Sequence, residues 1–103
     1  MNTTKKPNDC ESLQDIRQGI DHIDQQIIEL LAQRMDYVLN AAKFKPDLAS
    51  IPAPDRVEKM LVQRKQWAEK VSLDPKFIVP LYNQIIQWFI QQQTEFWQTK
   101  NKS

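Results

Sequence analysis

The sequence predicts an all-α fold: three helices in one domain, the first of them very long. Three observations carry this. Glycine occurs once in 103 residues, at Gly19, so glycine-rich phosphate loops and glycine-dependent hairpins are absent. Apolar residues recur in steps of three and four, the period of an amphipathic helix. Two proline-bearing breaks divide that pattern into three stretches.

Residues 1–11 are polar and aperiodic and are expected to be a flexible N-terminal segment. The first helix spans about 13–43, on the pattern Leu13, Ile16, Ile20, Ile23, Ile27, Leu30, Leu31, Met35, Val38, Ala41 and Ala42. Ser12 is placed to cap it, with Asp15 three residues on in a capping-box variant. Lys45-Pro46 ends it, because the residue before proline is pushed out of the α region. Residues 46–53 then read as an irregular segment with two prolines. Pro54 opens a second helix over about 54–70, with Val57, Met60, Leu61, Trp67, Ala68 and Val71 on one side. Asp74 and Pro75 are a good N-cap and first residue for a third helix over about 75–98. Pro80 removes a backbone donor inside it, which predicts a kink or a short 3₁₀ start. The helical domain therefore covers 12–99, with a flexible tail over 100–103. The Met and Trp residues at helical spacing are expected in the core, and His22 on the solvated face.

Composition excludes several functions. Fourteen Lys+Arg against 13 Asp+Glu give a net charge of +1, without the basic surplus of a nucleic-acid binder. One cysteine, Cys10, and one histidine, His22, make no intrachain disulfide and no multi-ligand zinc site. No apolar run reaches the ~18 residues of a membrane span, so the expectation is a cytoplasmic protein with no membrane or nucleic-acid partner.

The first helix has a consequence for assembly. At 1.5 Å per residue it is roughly 45 Å long. A compact chain of this size has a radius of gyration near 13 Å. Two shorter helices cannot bury such a stripe along its length, so pairing with a second copy is expected. A bent first helix in a monomer, with Gly19 as the bend, is the alternative.

Polar residues on apolar faces are the candidate site. Arg34 falls inside the first helix's stripe, and Arg17 and Asp24 lie on the same broad face. Gln92 and Gln93 fall inside the apolar arc of the third helix, where a buried amide must find partners. Arg64 lies on the apolar side of the second helix and Arg56 in its first turn; surface ion pairs explain both. Lys43 and Lys45 flank the end of the first helix, where cations suit the dipole. Inward Arg, Lys and Gln among apolar walls suit a small dianion, since guanidinium groups grip carboxylates bidentately. Arg17 and Arg34 are 17 residues apart, roughly 25 Å on one helix, so both reach one small ligand only if they come from different chains.

The run Asp15-Ile-Arg17, Ile23-Asp24, Leu31-Ala-Gln-Arg34, Lys45, Pro54-Asp-Arg56 and Gln93 resembles the all-helical chorismate mutase family. Arg34-Met-Asp-Tyr-Val38, Ile51-Pro-Ala-Pro-Asp-Arg-Val57 and Gln84-Ile-Ile-Gln-Trp-Phe-Ile90 are similar to its isochorismate pyruvate-lyase branch in particular. Val57 stands where many mutases of the family carry glutamate, which favours the lyase. The resemblance implies an intertwined homodimer with two equivalent sites and no cofactor or metal. Each site would hold Arg34, Lys45 and Gln93 of one chain and Arg17 of the other, with Arg56 in a less defined role. It implies conversion of isochorismate to salicylate and pyruvate, commonly for siderophore synthesis, with weak rearrangement of chorismate to prephenate. A chorismate mutase proper and a non-enzymatic helical dimerisation module are the competing readings.

Overall fold

The computed structural model describes residues 5–101, and their regular structure is entirely helical. Three α-helices run over Leu13–Ala41 (α1), Pro54–Lys70 (α2) and Pro75–Lys100 (α3). The parts of the expected flexible ends at 1–4 and 102–103 lie outside the described residues. Among the described residues, no helix is long and apolar enough to cross a membrane.

The predicted caps are present. The Ser12 hydroxyl accepts from the Asp15 N–H at 3.1 Å. The Asp74 carboxylate accepts from the Lys76 N–H at 2.9 Å, with Pro75 following as first helical residue. The reciprocal half of the capping box differs from expectation. The Asp15 carboxylate reaches past Ser12 to the Glu11 N–H at 3.0 Å and pairs with Lys5 Nζ at 3.2 Å. The aperiodic N-terminal stretch is also more structured than expected, with a 3₁₀ turn over Pro7–Asp9. His22 is half-buried rather than solvated, because it shares an apolar pocket with Lys5, Lys6, Pro7 and Cys10 of this stretch.

Two boundaries are corrected. α1 ends at Ala41 rather than 43, and a 3₁₀ turn over Ala42–Phe44 tightens its last coil. Lys45 then takes the extended conformation that a following proline imposes. α3 runs to Lys100 rather than 98, with the Asn101 N–H closing on the Trp97 carbonyl at 3.0 Å. No 3₁₀ segment precedes Pro80, and α3 is α-helical from Pro75 onward. Pro80 and Lys76, whose carbonyl it leaves without an intrahelical donor, are both exposed, on the side of the helix where the loss costs least.

α2 ends in a Schellman turn. Ser72 has φ 62°, the Leu73 N–H reaches the Ala68 carbonyl at 2.9 Å, and the Ser72 N–H reaches the Glu69 carbonyl at 3.3 Å. A serine thus occupies the left-handed position that glycine fills at least cost.

The chain divides into two units, one up to Asp36 and one from Tyr37 onward. In the second, α2 packs on α3. Its core holds Ala42, Ile51, Met60, Ala68, Ile86 and Phe89, with Gln93 buried among them. Trp88 meets Phe89 edge to face at 5.2 Å. Trp67 and Trp88 were expected in the core and are instead about half exposed, at 50% and 51%. In the first unit no described residue is buried, and Leu13, Ile16, Ile20, Ile23 and Ile27 form an exposed apolar stripe.

Candidate functional site

Lys45 and Gln93 stand in the second unit and are tied into it by neighbouring bonds from α3. Gln93 is buried, as its place in the apolar arc predicts, and its Nε2 donates to the Val38 carbonyl on α1. One turn further along α3, the Trp97 indole N–H donates to the Lys45 carbonyl at 2.9 Å. The side chains of Gln93 and Trp97, four residues apart, face the same way on a helix. They therefore hold the chain at two points, Val38 in the last turn of α1 and Lys45 just after the 3₁₀ turn that follows it.

This clamp fixes the chemistry offered. An amide carries two N–H donors and one acceptor oxygen. With one N–H held by Val38, the plane of the Gln93 amide is set while the rest of its hydrogen-bonding capacity is not consumed by that bond. Lys45 is half-buried, and its Nζ donates to the Ser50 carbonyl at 3.2 Å. An ammonium has three donors, so this bond leaves its charge intact and two directions for a ligand. Gln92, the neighbouring inward candidate, is half-buried. A cleft beside Lys45 is lined by Leu39, Lys43, Phe96, Trp97 and Lys100, a cationic and aromatic wall.

Arg17 and Arg34 lie in the first unit, on α1. Arg17 is exposed and Arg34 half-buried. Arg56 is exposed in the first turn of α2.

Arg64 departs from the ion-pair explanation. Its guanidinium lies 4.7 Å from the Trp67 ring centroid and 5.7 Å from that of Tyr82. Burial lowers its pKa from the ordinary arginine value; Tyr82 opposes this and the nearby Arg56 charge adds to it. It remains a cation at neutral pH, held by ring faces rather than by a carboxylate. The Arg64–Trp67 spacing of three residues is visible in the sequence as a helical neighbour pair. Tyr82, on another helix, is not.

The segment 46–53 holds side chains that sequence reasoning passed over. It contains a 3₁₀ turn over Leu48–Ser50, where an irregular stretch was expected. Asp47 caps this turn, its Oδ1 accepting from the Ser50 N–H at 3.0 Å. An aspartate three residues ahead of the N–H that donates to it is a capping pattern the sequence displays.

The chain belongs to the chorismate mutase type II family, whose model matches residues 16–94. Within reach of that family it is similar to the isochorismate pyruvate lyase of Pseudomonas aeruginosa, 50% identical over 90% of this chain and 92% of that protein. It is also 36% identical to part of the T-protein of Haemophilus influenzae, over 66% of this chain and 18% of that protein. The matched region holds Arg17, Arg34, Lys45, Arg56 and Gln93.

Proposed function

We propose that this chain is an isochorismate pyruvate lyase, working as a homodimer with two equivalent sites. The observation that carries the reading is the near-full-length identity to a protein of that name, joined to a site built of cation and amide. The reaction is a concerted elimination. A ring hydrogen moves to the methylene of the enolpyruvyl group as the ether C–O bond breaks, leaving salicylate and pyruvate with all atoms accounted for. No nucleophile is required. The enzyme must hold the reactive conformer and stabilise charge on the departing oxygen.

Lys45 and Gln93 address the breaking ether and the side-chain carboxylate. Arg34 of the same chain and Arg17 of the partner chain grip the two carboxylates, and Arg56 adds positive potential from the start of α2. The segment 46–53 closes over the ligand in the cytoplasmic enzyme. The uncovered apolar stripe of α1 supports the second copy, since a face this apolar needs cover. A weaker mutase activity on chorismate is expected from the family the chain belongs to.

The test is a mixing experiment on isochorismate, read by salicylate fluorescence. Arg17→Ala and Arg34→Ala homodimers should each be nearly inactive. A verified mixed dimer keeps one site with both arginines and should recover up to about half the activity per dimer, as two-fold symmetry requires. Absence of recovery overturns the cross-chain site. Chorismate loss without salicylate selects a mutase, and no turnover of either leaves a dimerisation module.

A further inference from the structure

The segment that joins α1 to α2 is bound at each joint. At its start the Lys45 N–H closes on the Ala42 carbonyl at 3.2 Å, and Trp97 holds the Lys45 carbonyl. At its far side Ile51 is 2% exposed, and its N–H closes on the Leu48 carbonyl at 3.2 Å. Between these anchors Asp47 and Ser50 are joined by three hydrogen bonds, one of them backbone to backbone, from the Ser50 N–H to the Asp47 carbonyl at 3.3 Å. The Asp47 carboxylate takes the Ser50 N–H, and the Ser50 hydroxyl donates to the Asp47 carbonyl at 2.8 Å. The carbonyl of Ser50, oriented by this clip, is the group that receives the Lys45 ammonium.

We propose that Asp47 and Ser50 are positioning residues for Lys45: their clip aims the Ser50 carbonyl so that the ammonium is held in one place before substrate arrives. The inference rests on the role given to Lys45 above. A lysine side chain has four rotatable carbons and loses much rotamer freedom when fixed. A neutral carbonyl fixes it without quenching its charge, whereas a carboxylate would compete with the substrate for it. Asp47 serves here through the shape of its acceptor. Its oxygen organises the turn, and the turn places the carbonyl.

Asparagine keeps that acceptor and loses the charge, while alanine loses both. Asp47→Ala should lower kcat on isochorismate about five- to tenfold, the scale of one lost cap, with a smaller change in KM. Asp47→Asn should stay within about twofold of wild type. On a Lys45→Met background, Asp47→Ala should slow the reaction no further, because the residue it positions is gone. Asp47 is exposed, so folding should persist, which circular dichroism checks. Wild-type kcat in Asp47→Ala overturns the inference. So does Asp47→Asn as slow as Asp47→Ala, or an equal slowing by Asp47→Ala with and without Lys45. If Lys45→Met itself turns over at the wild-type rate, the role of Lys45 fails and this inference fails with it. A slow Lys45→Met beside an unimpaired Asp47→Ala removes the inference alone.

Discussion

The two units are held by different means. Up to Asp36 the links are local and polar: Ser12 to Asp15, Asp15 to Glu11 and Lys5, and a 3₁₀ turn over Pro7–Asp9. From Tyr37 onward, α2 and α3 share a core with Ile51, Met60, Ile86 and Phe89, and the polar links of Gln93 and Trp97 span more than 50 residues of sequence. The contrast shows where a single chain is self-sufficient. Helices in proteins owe most of their stability to packing of the amphipathic face, and local caps do not replace it. α1 has the face and the caps, and its stripe of Leu13, Ile16, Ile20, Ile23 and Ile27 stands exposed.

Placing charge on that stripe should break the contrast most strongly. Burying one isoleucine is worth about 1.5–3 kcal/mol, and a symmetric dimer counts it twice. Ile27→Asp should therefore weaken self-association by about 3–6 kcal/mol, roughly 10²–10⁴-fold. Gln25→Asp, on the opposite face, should leave it unchanged. Sedimentation velocity over a dilution series distinguishes the two, and an Ile27→Asp protein that sediments like wild type would show that the stripe is not the interface.

A smaller effect is expected in the self-sufficient unit. Ser72 holds a left-handed conformation at the close of α2, which glycine adopts with less strain. Ser72→Gly should stabilise by about 0.5–1 kcal/mol after the added chain entropy is deducted, or about 2–6 °C in Tm. A lower Tm would mean that the serine side chain earns its place in that turn by a contact outweighing the strain.

The smallest effect belongs to the local links of the first unit. The Glu11 N–H and then Lys5 hold the Asp15 carboxyl below the usual aspartate value. A depressed carboxyl contributes stability that is complete above the unfolded pKa, near 4, and is lost as pH falls through the lower folded value. The Tm difference between wild type and Asp15→Ala should be constant from about pH 5 to 8 and close in strong acid. A difference that widens on acidification would contradict the assignment.

Much of this architecture is legible in the sequence because its signals are local. Ser12, Pro54, Asp74 and Pro75 mark helix starts by chemistry that acts within one turn. Gln93 is visible as an inward amide by angle alone, and its hydrogen bond to the Val38 carbonyl is the interhelical bond such a placement requires. What escaped depends on distance or on aperiodic backbone. Arg64 lies against the Trp67 ring three residues on and also against the Tyr82 ring, 18 residues away on another helix, and without the second ring in view an ion pair was the natural but mistaken reading. The order of the segment after Lys45 comes from side chains bonding to backbone groups three and five residues off, which leaves no hydrophobic period. The exposure of Trp67 and Trp88 was hidden because helical spacing marks a face and does not say what covers it.

The Trp97 bond gives the enzyme a native reporter. Of three tryptophans, Trp67 and Trp88 are about half exposed, whereas the Trp97 indole proton is committed to the carbonyl of Lys45. An indole proton engaged in this way exchanges with deuterium when the bond opens, and exposed ones exchange freely. The slowest of the three indole resonances therefore times the release of Lys45, the residue before the segment 46–53. Adding a slowly turned-over ligand should lengthen that time if the proposed closure of 46–53 tightens the joint, which would make that closure measurable in unlabelled protein, one proton at a time.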